Sequence, residues 1–167
     1  MSEYTDQLDL LVELNYLDKV PVNFLFSFGY HADELTIVLK AHLFAEFLID
    51  HIIKEKFSRP KRILNYTFYK KLEIIYSIDL IPNYLYKNIL FLNKMRNKYS
   101  HDLDYRINPK EIVLFKTDNK RIVFRDEFKK KSNRQIVKLF CFAVLAQFND
   151  YIYLSLNLNP TFRNNGE

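Results

Sequence analysis

The chain has 167 residues, of which 49% are apolar, with 12 tyrosines, 15 phenylalanines and only two glycines. This length and composition suit one compact domain, and they exclude a disordered chain and a turn-dense all-β fold. The formal net charge is +5, but residues 58–134 hold 19 Lys/Arg and 8 Asp/Glu, so this middle segment alone carries +11. Such a charge is typical of phosphate-backbone binding, although a solvated lysine-rich surface would give the same count.

The sequence also predicts the compartment. The N-terminus "MSEYTDQLDLLVEL" begins acidic and lacks the basic flank and apolar run of a signal peptide. The richest apolar segment, "LFCFAVLAQFN", is shorter than the roughly 20 residues that a membrane span needs. The single Cys141 cannot form a disulfide within the chain and lies in an apolar helical stretch, where a buried thiol is expected. We therefore expect a cytoplasmic protein with no membrane partner.

Helices are predicted along most of the chain. The first spans about 5–18, and a long central helix with apolar residues on two sides spans about 33–57. The stretch "SRPKRILNY" reads as a connection, and "TFYKKLEIIYSID" as a third helix with Phe68, Lys71 and Leu72 at helical spacing. A fourth helix begins at Pro82, because the missing N–H of a proline would be unpaired in a first turn anyway.

The hydrophobic period changes after the fourth helix. The segments "EIVLF" and "RIVF" flank "KTDNK", which predicts a β-hairpin at about 111–125. A last helix follows over about 133–157, and residues 161–167 form a flexible tail. The sequence thus predicts one mainly α domain over 1–160, an up-and-down bundle of about five helices with a small β-hairpin inserted before the last helix.

The fourth helix carries an arginine where the core is expected. On a helical wheel of 100° per residue, Arg96 lies about 40° from Leu92, inside the arc of the apolar stripe. A guanidinium keeps its charge in a protein, so this position requires an acidic partner, a polar cavity or a subunit interface. The stripe is formed by Leu85, Ile89, Leu92, Met95 and Tyr99.

The second helix shows the same anomaly, because His42 and Glu46 interrupt its apolar stripe one turn apart. Two interpretations remain open from the residues. Either a buried polar network satisfies them, with Glu46 receiving Arg96 or His42, or they form the wall of a site. A metal site is disfavoured, since the two ligands have no recognisable third.

The end of the fourth helix places Asn97 and His101 one turn apart, away from the apolar stripe. If the helix ran on unbroken, Arg96 and His101 would point about 140° apart. Either the helix ends irregularly, or another surface completes a site that uses both. The neighbouring Asp102 and Asp104 would favour the imidazolium, as a general acid requires, although such a histidine can also be merely solvated.

The motif "RNKYSH", with "LKAHLFAEFLI" on the second helix, resembles the HEPN superfamily, whose motif is an arginine and a histidine separated by a spacer of four to six residues. The resemblance covers roughly residues 33–105 and is greatest to the mannitol-operon-repressor-like branch and related HEPN-like proteins. It implies that Arg96, Asn97 and His101 are catalytic. It also implies a homodimer that needs no metal or other cofactor, with the motif helices of two protomers lining one cleft.

The chemistry that the resemblance implies is RNA cleavage by the RNA's own 2′-hydroxyl. In this scheme His101 transfers protons, Arg96 stabilises the developing charge at phosphorus, and Asn97 positions the histidine or the phosphate. The residues expected to bind RNA, by phosphate contacts or base stacking, are Lys94, Lys98, Tyr99 and Tyr105. Supporting, structural roles fall to His42, Glu46 and Asp102.

Two functions are therefore open. The first is a metal-independent endoribonuclease of toxin or defence type, and the second is a non-catalytic HEPN-like regulator or adaptor that binds a protein partner or nucleic acid. An antitoxin or regulatory protein is an expected partner. However, HEPN toxins that are modified by a nucleotidyltransferase antitoxin carry a tyrosine two residues after the histidine. This sequence has Leu103 there and its next tyrosine at Tyr105, which departs from that pattern.

Overall fold

A computed structural model describes residues 32–102, 104–123 and 131–158 of the chain. These residues form a mainly helical fold with a two-stranded antiparallel hairpin before the last helix, which confirms the predicted fold class. The predicted helix over 5–18 and the predicted tail lie outside the described residues. In chain order the elements are α1 (Glu34–Lys56), α2 (Pro60–Leu64), α3 (Phe68–Ser77), α4 (Asn83–His101), a 3-10 turn (Pro109–Glu111), β1 (Val113–Thr117), β2 (Lys120–Val123) and α5 (Asn133–Leu154).

Helices α1, α3 and α5 begin at residues whose side chains cap the first turn. The Asp33 side chain accepts a hydrogen bond from the Thr36 N–H at 2.7 Å and starts α1, and a capping box formed by Ser132 and Gln135 starts α5. The prediction of a plain connection between α1 and α3 was wrong, because α2 begins there at Pro60. A proline suits the first turn of a helix, where its missing N–H needs no partner.

Helix α1 lies at the centre of the bundle and contacts α2, α3, α4 and α5. It runs antiparallel to α4, because Tyr99 near the end of α4 donates to Glu34 at the start of α1, whereas His42 further along α1 meets Asn93 earlier in α4. Aliphatic side chains of α1 are buried on a broad arc facing these neighbours. This agrees with the prediction of a central helix that is apolar on two sides.

Helix α5 is the most buried element and runs parallel to α1, since Lys56 Nζ near the end of α1 donates to the Leu156 carbonyl oxygen at 3.2 Å. Cys141 in its middle is fully buried, as predicted, and burial raises the pKa of its thiol. Of the described helices, α5 is the one long and apolar enough to cross a membrane by length and composition. However, 72% of its most apolar stretch is buried inside the bundle, as in the core helix of a globular protein.

The hairpin is attached to the bundle by a side-chain amide. Asn88 Nδ2 donates to the Phe115 carbonyl oxygen at 2.8 Å, and the Phe115 N–H donates back to Asn88 Oδ1 at 2.9 Å. Asn88 Nδ2 also donates to Gln147 Oε1 at 2.8 Å, and Gln147 Nε2 donates to the same Phe115 carbonyl at 3.2 Å. Two amide side chains in the interior thereby satisfy both backbone groups of one strand residue and hold β1 against α4 and α5.

Candidate functional site

Helix α4 continues regularly through the candidate motif. Its last helical residue is His101, and the N–H of the following Asp102 still donates to the Lys98 carbonyl oxygen at 3.0 Å. Arg96 and His101 are therefore separated by about 7.5 Å along the helix axis and by about 140° around it. Of the two alternatives left open by the sequence, the irregular helix end is excluded.

Arg96 is a half-buried cation at the edge of the core. Its Nη1 donates to the exposed Asn97 Oδ1 at 3.1 Å, and Ser100 Oγ donates to the Arg96 carbonyl oxygen at 2.9 Å. Within the described part of the chain, no carboxylate forms an ion pair with this guanidinium. The guanidinium is therefore a partly desolvated charge whose described side-chain partner is the Asn97 amide.

A buried histidine lies behind Arg96. His42 is only 6% exposed, its Nε2–H donates to Asn93 Oδ1 at 3.0 Å, and its ring centroid lies 4.0 Å from that of Phe68. Burial lowers the pKa of His42, and the nearby charge of Arg96 lowers it further, against the opposing effects of Asn93 and Glu46. His42 is thus held neutral and positions Asn93, which is one turn before Asn97.

Glu46 belongs to a separate ion cluster centred on a buried lysine. Lys71 is 2% exposed, and its Nζ donates to Glu46 Oε1 at 2.7 Å and to Asp50 Oδ1 at 2.8 Å. Burial lowers the pKa of Lys71, but the hydrogen bonds and charges of Asp50 and Glu46 outweigh this effect and leave the pKa raised. The hypothesis that Glu46 receives Arg96 or His42 was therefore wrong. Lys71, the observed partner of Glu46, was not predicted as such. Its position in the apolar stripe of α3 was nevertheless a signal that it is buried and needs an acidic partner.

The side chains of His42 and Glu46 do not meet at a common point where they could bind a metal ion. Each side chain is occupied by another partner, Asn93 for the imidazole and Lys71 for the carboxylate. Within the part of the chain that the structure describes, no three His, Cys, Asp or Glu side chains are grouped as a metal site would require. His42 is buried in the bundle interior, whereas the Glu46 side chain is partly exposed.

His101 is exposed on the last turn of α4. The Asp102 carboxylate beside it accepts the Asp104 N–H at 3.0 Å, so this acid shapes the turn that follows the helix. No ion pair joins His101 to an acidic side chain among residues 32–102, 104–123 and 131–158. Among the described residues, the imidazole is therefore exposed on the surface of the bundle.

The four residues predicted to bind RNA differ in accessibility. Lys94 and Lys98 are exposed, and Lys98 Nζ lies 5.2 Å from the ring centroid of the half-buried Tyr105. Tyr99 is only 2% exposed, and its hydroxyl donates to the Glu34 carboxylate. A buried ring cannot stack on a base, so the predicted stacking role of Tyr99 is corrected to a structural one.

Acidification should destabilise the protein through His42. The folded-state pKa lies below the ordinary value of 6.5, so the unfolded chain binds more protons between these two pKa values. The stabilising contribution is fully present above the unfolded pKa and falls as the pH drops below it, by at most about 1.4 kcal/mol per pH unit. Urea unfolding at pH 7.5 and pH 5.0 should show a smaller loss for His42→Gln than for wild type. Equal losses in the two proteins would contradict the assignment.

The chain matches no protein-family model, no curated protein and no solved structure. Arg96 and Asn97 are joined by a hydrogen bond, and His42 and Asn93 by another. The side chain of His101 leaves α4 about 140° around the axis from that of Arg96 and about 40° from that of Asn97.

Proposed function

We propose that the protein is a metal-independent endoribonuclease of HEPN type, with a site that combines Arg96 of one protomer with His101 of the partner subunit. The observation that carries this proposal is the half-buried Arg96, which has no acidic partner in the described ranges and is bound by Asn97. On one regular helix the side chains of Arg96 and His101 leave the axis about 140° apart, which disfavours a phosphate shared within one chain. A two-fold axis beside α4 can bring them together from two chains.

The reaction follows from the chemistry of these side chains. The 2′-hydroxyl of RNA attacks the adjacent phosphorus and loses its proton to solvent, while the bond from phosphorus to the 5′-oxygen breaks. The imidazolium of His101 donates a proton to that leaving oxygen, and the guanidinium of Arg96 stabilises the negative charge on the phosphorane. Asn97 holds the guanidinium in position. The products are a 2′,3′-cyclic phosphate and a 5′-hydroxyl.

Cleavage of a labelled single-stranded RNA in excess EDTA tests the proposal. Wild-type protein should produce fragments ending in 2′,3′-cyclic phosphate. His101→Ala and Arg96→Ala should each lower the rate by about 100-fold or more, the usual contribution of a general acid or of a group that stabilises transition-state charge. Arg62→Ala, which removes an exposed arginine of α2, is the matched control and should cleave normally. Unimpaired cleavage by folded His101→Ala would reject the proposal.

The divergence of Arg96 and His101 also favours a second candidate, a non-catalytic regulator or adaptor. A chain that stays monomeric has no complete site, yet it retains the exposed basic surface of α4. Under this alternative, RNA or a regulatory protein binds to the purified protein, and RNA stays intact in both EDTA and Mg²⁺. The cleavage assay distinguishes the two, because only the first candidate cleaves RNA and depends on both Arg96 and His101.

A further inference from the structure

The outer face of α4 carries a row of three lysines and a histidine. Lys87, Lys94, Lys98 and His101 are all exposed, and at 100° per residue they fall within an arc of about 60°. The helix Asn83–His101 contains no Asp or Glu. From Lys87 to His101 the row extends about 21 Å along the helix. No acid of the same helix neutralises it.

Aromatic rings lie beside this row at two points. Lys87 Nζ is 5.2 Å from the ring centroid of Phe115 in β1, and Lys98 Nζ is 5.2 Å from that of Tyr105. Both rings are partly exposed. Arg121 of β2 is the cross-strand partner of Phe115, so the two residues share one face of the hairpin. The row of cations therefore continues from α4 onto the hairpin.

Acidic groups near the row are few and exposed. Glu111 Oε2 lies 3.5 Å from Lys98 Nζ, and both side chains are about half exposed. An exposed pair of this kind contributes little, so a phosphate can replace the carboxylate. Asp118 lies in the exposed turn of the hairpin, and the Asp102 carboxylate is engaged by the Asp104 N–H. The row is therefore electropositive from Lys87 to Lys98, whereas the exposed Asp102 and Asp104 lie beside its His101 end.

We propose that this surface binds one single strand of RNA along its phosphates and leads it to His101. We call it the α4 track and define it by Lys87, Lys94, Lys98, Arg121, Phe115 and Tyr105. The cations match a polyanion, and the partly exposed rings can stack only on unpaired bases, which favours a single strand over a duplex. That the strand is also a substrate rests on the proposed function.

Salt-dependent binding of a 2′-O-methyl RNA oligonucleotide tests the track. This probe lacks the free 2′-hydroxyl, so it binds without being cleaved. With about four phosphate contacts, the slope of log K against log salt should be about −2.8, and Lys87→Gln with Lys94→Gln should reduce its magnitude by about 1.4. Lys54→Gln with Lys61→Gln removes two exposed lysines of α1 and α2 and is the matched control, which should leave the slope unchanged.

The contribution of the aromatic rings to RNA affinity can be measured separately from that of the positive charges. Phe115→Leu should weaken binding about fivefold or more with an unchanged salt slope, because stacking releases no counterions. A slope unaltered by the track variant, an equal change in the control, or equal binding of duplex RNA would overturn the proposal. Binding through the track without cleavage of unmodified RNA would instead refute the proposed ribonuclease and leave the track standing.

Discussion

Mixing the inactive Arg96→Ala protein with the inactive His101→Ala protein should restore about a quarter of the wild-type cleavage rate. Random exchange of protomers makes about half of the dimers mixed. In each mixed dimer, one of the two sites combines an intact Arg96 with an intact His101 of the partner subunit. A site built within one chain would give no restoration, because every chain in the mixture lacks one of the two residues.

The experiment requires that the two variants exchange, which co-refolding followed by native mass spectrometry can establish. The initial rate on labelled RNA is then compared with that of wild type at the same total protein. Mixing either variant with the doubly substituted protein, Arg96→Ala with His101→Ala, controls for any general effect of added protein. Mixed dimers that form but do not cleave would contradict the two-chain site.

Replacing Lys71 with methionine should lower the free energy of unfolding by about 2–4 kcal/mol. Its ammonium group is buried and is the shared partner of Glu46 and Asp50, whose side chains are 32% and 28% exposed. Removing one partner of a buried pair typically costs about 3–5 kcal/mol, because the remaining charge is uncompensated. The partial exposure of the two carboxylates moderates this cost.

The adjacent lysine provides the control for Lys71→Met. Lys70 is exposed, with its Nζ 4.2 Å from the ring centroid of Tyr66, so Lys70→Met should cost no more than about 1 kcal/mol. Adding Glu46→Gln and Asp50→Asn to Lys71→Met should recover part of the lost stability, since the unpaired carboxylates are then gone. Equal destabilisation by the two lysine substitutions in urea unfolding would show that the buried cluster contributes nothing specific.

The helices could be predicted from the sequence because their causes are local. The helix predicted over 33–57 spans Glu34–Lys56, and the helix predicted over 133–157 spans Asn133–Leu154. Predicted and observed ends differ by no more than three residues. Periodicity and capping are read from neighbouring residues, so these helices needed no knowledge of the fold. Helix α2 was missed because five residues are little more than one turn, too short for a period to appear.

The candidate site was predictable only in part. The wheel identified Arg96 as an anomaly and placed Tyr99 in the buried stripe, and for Tyr99 this was a better guide than the stacking role implied by resemblance. The wheel could not identify which cation reaches Glu46. The cation that reaches Glu46 depends on how far α3 is shifted along α1. The hydrophobic period of a single helix carries no information about its shift relative to another helix. Lys71 was visible as a polar residue in a stripe, but its partners were not.

The attachment of the hairpin by Asn88 affects which amino-acid substitutions the hairpin can accept. The amide recognises the backbone N–H and carbonyl of Phe115, not its ring. Any residue that keeps its N–H, and therefore any except proline, can occupy that position without losing the anchor. The exposed residues of the hairpin are thus free to diversify while the scaffold remains intact, and new ligand preferences can arise there at little cost to folding.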